Sequence, residues 1–164
     1  MWICSQCGEA HDDLPLSYAA EAPELYASIP EAERDMRTEL TSDMCIIDQQ
    51  YYFVLGRVCI PIHGSPDPFV WLVWVSLSQP NFERTLALWE SPGRESEPPY
   101  FGWLSTQLPV YSSTLNLPTS VQTMPVGERP TIIVGDEEHP LAQEQRQGMS
   151  PSRLQAIAEQ LLHG

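Results

Sequence analysis

The sequence predicts an α+β domain: an antiparallel sheet of about five to six strands with peripheral helices, an N-terminal cysteine knuckle and a C-terminal amphipathic helix. Three observations carry that expectation. Segments dominated by β-branched and aromatic residues recur between Met44 and Val134, with short polar or proline-containing breaks between them. No regular strand–helix alternation of the kind that builds a parallel sheet interrupts them. A sustained helical stripe of apolar residues appears only at the C-terminal end.

The 164 residues suit a single domain, large enough to bury its own core without a metal or a disulfide. Its parts read as a knuckle with an acidic helical segment (1–43), a sheet with one inserted helix (44–135) and two C-terminal helices (139–164). The 16 prolines predict stiff, extended connections and few long helices.

The chain opens with "WICSQCGEAH", in which Cys4 and Cys7 are separated by two residues and followed by Gly8. The acidic stretch that follows is punctuated by proline. Short helices are expected from Pro23 to Ser28 and from Pro30 to Leu40, because proline fits the first helical turn, where its missing N–H costs nothing. "MCIID", a polar turn at Gln49 and Gln50, and "YYFVLGRVCIPI" read as two strands. "FVWLVWVSLS" reads as a third, with Val70, Leu72, Trp74 and Ser76 facing one way and Trp71, Val73, Val75 and Leu77 the other. Both faces are mostly apolar, which suits a strand covered on both sides.

"PNFERTLALWES" has the helical spacing of Phe82, Leu86 and Trp89. "EPPYFGWLSTQLPVY" reads as irregular and aromatic, and "TSVQTMPV" and "RPTIIVG" as the last strands. "DEEHPLAQEQRQG" is expected to form a short helix that Gly148 closes. The final helix has Ser150 as cap, Pro151 at its first position, an apolar stripe of Leu154, Ile157, Ala158, Leu161 and Leu162, and Gly164 just past its end.

The net charge is −14, and all eight basic residues are arginine. A field of that sign repels nucleic-acid phosphates and anionic membranes and favours a basic protein partner. One concrete form is an immunity-like protein that masks a basic toxin surface. The aromatic residues Tyr100, Phe101 and Trp103, together with His139, are the candidate partner or pocket surface, since Tyr and Trp offer apolar area with a polar tip. Neither a secretory leader nor an apolar run long enough to span a bilayer is visible, so a cytoplasmic location is expected.

In such a compartment thiols stay reduced, and Cys4, Cys7, Cys45 and Cys59 read as ligands or buried thiols. Two thiolates on a tight turn are half of a tetrahedral zinc site, with His11 and Cys45 competing for the remainder and Cys59, His63 and His139 as weaker contenders. Inert thiols and a redox dithiol are the alternatives. For the dithiol, no strand precedes the motif and no helix clearly follows it. The expected function is therefore a non-enzymatic domain with a structural zinc ion. The alternative is a metal-dependent hydrolase that uses Cys4 and Cys7, with Glu9, Asp12 or Asp13 as the carboxylate base, or that uses His139. Serine nucleophile elbows, phosphate-binding glycine loops and His-Glu-x-x-His are absent from the sequence.

Taken in order, "WICSQCGEAH", "SDMCIID", "YYFVLGRVCIPI", "WLVWVSLS", "FGWLSTQLPVY", "GERPTIIV" and "EEHPLAQEQRQGMS" resemble a family of small, mostly bacterial proteins catalogued only as a domain of unknown function. The resemblance covers most of the chain apart from about residues 15 to 42. It implies an intracellular single-domain protein and marks Cys4, Cys7, His11 and Cys45 as fitting the family pattern, with Cys59 a buried strand thiol outside it. The pattern carries an arginine near position 55, where this chain has Leu55. The family implies no activity.

Overall fold

The computed structural model describes residues 2–11 and 14–163. It is α+β, with the sheet forming most of the core, but the sheet is neither open nor purely antiparallel. Its strands are β3 (Ser17–Ala19), β4 (Thr38–Leu40), β5 (Met44–Ile47), β6 (Tyr51–Ile60), β7 (Phe69–Leu77), β8 (Tyr100–Leu104), β9 (Pro118–Gln122) and β10 (Thr131–Val134). A separate two-stranded ribbon, β1 (Trp2–Ile3) and β2 (Ala10–His11), forms the knuckle.

The five strands β6 to β10 pair in sequence, and β10 closes on β6 to make a barrel. Closure explains the correction to the expected antiparallel sheet. Five strands that alternate in direction leave the first and last pointing the same way, so the closing pair β10–β6 has to be parallel, as observed at Thr131 and Arg57. β3 adds to β7 in parallel and β4–β5 extends from β6, which brings the main sheet to eight strands.

So narrow a barrel leaves little room inside. Val54 and Val75 are cross-strand partners on the inner face, as are Val121 and Ile132. At two inner positions any side chain would collide. A Cβ on Gly56 would lie 2.5 Å from the Ile132 side chain, and one on Gly102 would lie 2.8 Å from the Ser76 carbonyl oxygen.

Both faces of β7 are covered, as its apolar alternation requires. Trp71, Val73, Val75 and Leu77 join the barrel core, while Trp74 and Leu72 pack with Ile29, Cys45, Ile47, Phe53 and Leu55 in a smaller cluster. The acidic segment closes this second cluster through Ile29 and through Tyr26 of α1 (Glu24–Ala27), and α2 (Arg34–Arg37) follows. The expected helix over 30–40 ends early: Thr38 leaves it to start β4, donating its hydroxyl to the Arg34 carbonyl at 2.6 Å.

α3 (Gln79–Ala87) packs on β6, and α4 (Pro140–Gln147) on β6 and β10. α5 (Pro151–His163) buries Leu154 and Ile157 against the main core and turns Ala158 toward Trp2 and Cys4. Ser150 accepts from the Arg153 amide at 3.1 Å, which is the expected cap. Gly164 lies outside the described residues.

Candidate metal centre

The knuckle is a hairpin whose turn carries the two cysteines. Trp2 pairs with His11 and Ile3 with Ala10, while the Cys4 amide donates to the Glu9 carbonyl at 3.0 Å and the Gly8 amide to the Cys4 carbonyl at 2.8 Å. Gly8 takes φ +73°, a left-handed conformation that lets the chain fold back under Cys4. The hairpin thereby carries His11 back beside Cys7, and the Trp2 ring stacks on His11 with centroids 4.9 Å apart.

The remaining member of the group comes from the other end of the sequence. His163, in the last turn of α5, places Nε2 3.2 Å from Cys4 Sγ, and His11 Nε2 lies 3.5 Å from Cys7 Sγ. The ligand atoms of Cys4, Cys7, His11 and His163 all lie within 4.8 Å of one another. A tetrahedral zinc ion with bonds of about 2.3 Å to sulfur and 2.0–2.1 Å to nitrogen needs ligand separations of roughly 3.3–3.8 Å. The group is compatible with a metal site.

Around it, α5 holds the knuckle through residues spaced by four. Gln155 donates to the Ile3 carbonyl at 2.9 Å, and the Glu159 carboxylate accepts from the Ser5 amide at 2.7 Å and the Ser5 hydroxyl at 2.6 Å. Those bonds to Ser5 hold the Glu159 carboxyl below its ordinary value. Gln155, Glu159 and His163 thus form one polar stripe on the helix, beside its apolar one.

The structure does not bring Cys45 to this group. Cys45 is fully buried on β5 in the smaller apolar cluster, where burial pushes its thiol up to about 11 and disfavours the thiolate that a metal needs. The fourth place belongs to His163, whose 159-residue separation from Cys4 gave spacing no purchase on it. Cys59 is half-buried on β6, and His63 contacts the Gln147 carbonyl at 2.8 Å. Asp12 and Asp13 lie outside the described residues.

The expected aromatic surface divides. Strand alternation turns Tyr100 inward, where its hydroxyl donates to Glu97 at 2.6 Å and its ring lines a cavity of about 320 Å³ at the barrel mouth. Phe101 and Trp103 point outward, 53% and 48% exposed, and meet edge to face at 4.8 Å. His139 lies apart from them as the cap of α4. Its Nδ1 accepts from the Leu141 amide at 3.0 Å while Nε2 lies 2.7 Å from the Ser113 carbonyl, so both ring nitrogens hold structure.

Fold and site together define a small β-barrel domain with a Cys/His knuckle docked on its C-terminal helix. The chain belongs to the family described as uncharacterized protein conserved in bacteria (DUF2199), whose model matches residues 3–149. Cys4, Cys7 and His11 fall within the matched region, and His163 lies beyond it. Neither the curated proteins nor the solved structures contain a match. No helix among the described residues is long and apolar enough to cross a membrane.

Proposed function

We propose that the chain is a non-catalytic domain in which Cys4, Cys7, His11 and His163 hold a structural zinc ion, fastening the knuckle to α5. The observation that carries this reading is the convergence, within 4.8 Å, of two sulfur and two imidazole donors from opposite ends of the sequence. Two thiolates and two imidazoles complete a tetrahedron and leave no coordination position for a reacting water. A structural role follows from that closed set in preference to the hydrolase alternative.

Elemental analysis of the protein purified without chelators tests the reading. About one zinc per chain is expected, as for other closed four-ligand sites. His163→Ala and Cys7→Ala should lose it, whereas Cys45→Ala should keep it. Cobalt substitution gives an independent readout, since a tetrahedral S2N2 set produces intense visible bands that six-coordinate cobalt lacks. Protein that neither carries zinc nor takes it up would sink the proposal. So would retention of a full equivalent by His163→Ala.

A further inference from the structure

Among the described residues, the outer face of β8, β9 and β10 presents Phe101, Trp103, Pro118 and Ile133 beside the polar Ser120, Gln122 and Thr131. Phe101, Ser120 and Ile133 stand in one row across the three strands, with Phe101 opposite Ser120 and Ser120 opposite Ile133; the next row pairs Trp103 with Pro118. Phe101, Trp103 and Ile133 are each about half exposed. α4 contacts β10 from the opposite, core-facing side, through buried Leu141 and Ala142. Large exposed apolar side chains grouped on one face mark an interaction site more often than scattered ones do.

Charge decides what fits it. At the Trp103 end, the Gly135 amide donates to the Pro118 carbonyl at 2.8 Å, and the exposed acids Asp136, Glu137 and Glu138 follow directly. At the other end, the Gln122 side-chain amide donates to the Glu95 and Glu97 main-chain carbonyls at 3.4 and 3.2 Å, which brings that loop beside the patch, while the Glu97 carboxylate is turned to Arg84 and Tyr100. Of the nearby cations, Arg84 pairs with Glu97 at 2.8 Å and Arg57 stands on β6 opposite Thr131, while Arg146 donates to the Glu137 main-chain carbonyl at 2.9 Å, so three carboxylates face one guanidinium at the Trp103 end. A second copy of the chain, itself at −14, would bring like charge to Asp136, Glu137 and Glu138. β9, at the centre of this face, is paired on both sides, so an occupant there lies across the face and does not extend the sheet.

We propose that this face docks a cationic segment of a partner protein. Apolar side chains of that segment would rest on Phe101, Trp103 and Ile133, and its arginines or lysines would meet Asp136, Glu137 and Glu138. The aromatic faces also attract cations directly. The surface is independent of the metal reading, since none of its residues belongs to the knuckle or to α5.

The probe is a synthetic peptide alternating arginine and leucine, with a glutamate-for-arginine version as control, titrated into the full chain and followed by amide chemical shifts and tryptophan fluorescence. Shifts should concentrate on β8 to β10 and residues 135–138, and binding should weaken with salt. The exposed double variant Phe101→Ser/Trp103→Ser should bind about tenfold more weakly, as expected when aromatic anchors are lost. Asp136→Asn/Glu137→Gln/Glu138→Gln, which leaves the aromatic pair in place, should do the same. Unchanged affinity in both variants would overturn the proposal. Shifts spread over the acidic 21–48 segment, or a salt-independent dimer of the parent chain built on Trp103, would also overturn it.

Discussion

Arg94 is buried, yet among the described residues its guanidinium donates only to main-chain carbonyls: Trp89 at 2.9 Å, Met124 at 2.7 Å, Pro125 at 3.0 Å and Glu128 at 2.9 Å. One planar fork thus holds the loop between β9 and β10 over the barrel mouth and ties it to the end of α3. Lysine cannot reproduce that fork. Arg94→Lys and Arg94→Ala should both cost about 2–3 kcal/mol, the scale of hydrogen bonds to a charged donor lost from a buried site. Urea unfolding measures the loss, and equal stability of Arg94→Lys and the parent would count against the fork. At this scale the sequence discloses what lies close along the chain. Cys4, Cys7 and His11 are legible because one turn of hairpin contains them. Arg94 gives no such sign, because its partners sit in a loop some thirty residues on. His163 left a trace, the four-residue spacing with Gln155 and Glu159, but polar residues on an exposed helix face are common without meaning.

Among the elements, the Glu97 carboxylate links α3 to β8. Glu97 accepts from Arg84 Nε at 2.8 Å and from the Tyr100 hydroxyl at 2.6 Å, and the Arg84 hydrogen bond, helped by Tyr100, lowers it to about 2. A carboxylate with a depressed folded value contributes stability that is complete above its ordinary range, about 4.3, and is lost as the pH falls through the folded value. Thermal midpoints of the parent and of Glu97→Gln should therefore differ by a constant amount above about pH 5 and converge as the pH falls toward 2. Curves that stay parallel down to that pH would remove Glu97 from this role. β8 reads as irregular in the sequence because Pro98, Pro99 and Gly102 weaken its strand signal. Gly102 is needed there, since it lets the strand approach the Ser76 carbonyl, and the same close approach hides the strand from propensity. β5, β6, β7, β9 and β10 were legible, because each buries at least one alternating face. Closure of the sheet was not, because it depends on how many strands precede the return to β6.

Across the whole molecule, the four-donor group joins residues 159 apart, so a bound ion would close a loop containing nearly the entire chain. A crosslink around a loop of about 100 residues removes roughly 4–5 kcal/mol of unfolded-state entropy, and the increment beyond that length is small. Zinc held by unfolded cysteines and histidines reduces the gain. The barrel does not need the ion to have a core, because Val73, Trp71, Val58 and Ile132 are fully buried without contribution from the knuckle. Only Ala158 of α5 shares the cluster of Trp2 and Cys4, whereas Leu154 and Ile157 are anchored in the main core. Removing the metal should therefore loosen the two chain ends and spare the centre. Amide exchange after chelation should show protection lost in β1, β2 and the last turns of α5 from Ala158 to His163. The amides of β6 and β7 should stay protected to the level set by global unfolding. Re-addition of zinc should restore the pattern in the parent and fail to do so in His163→Ala. An even loss across β6 to β10 would mean that the ion supports the barrel itself. Unchanged exchange at both ends would mean that the contacts of Ser5 with Glu159 and of Ile3 with Gln155 hold the knuckle without it.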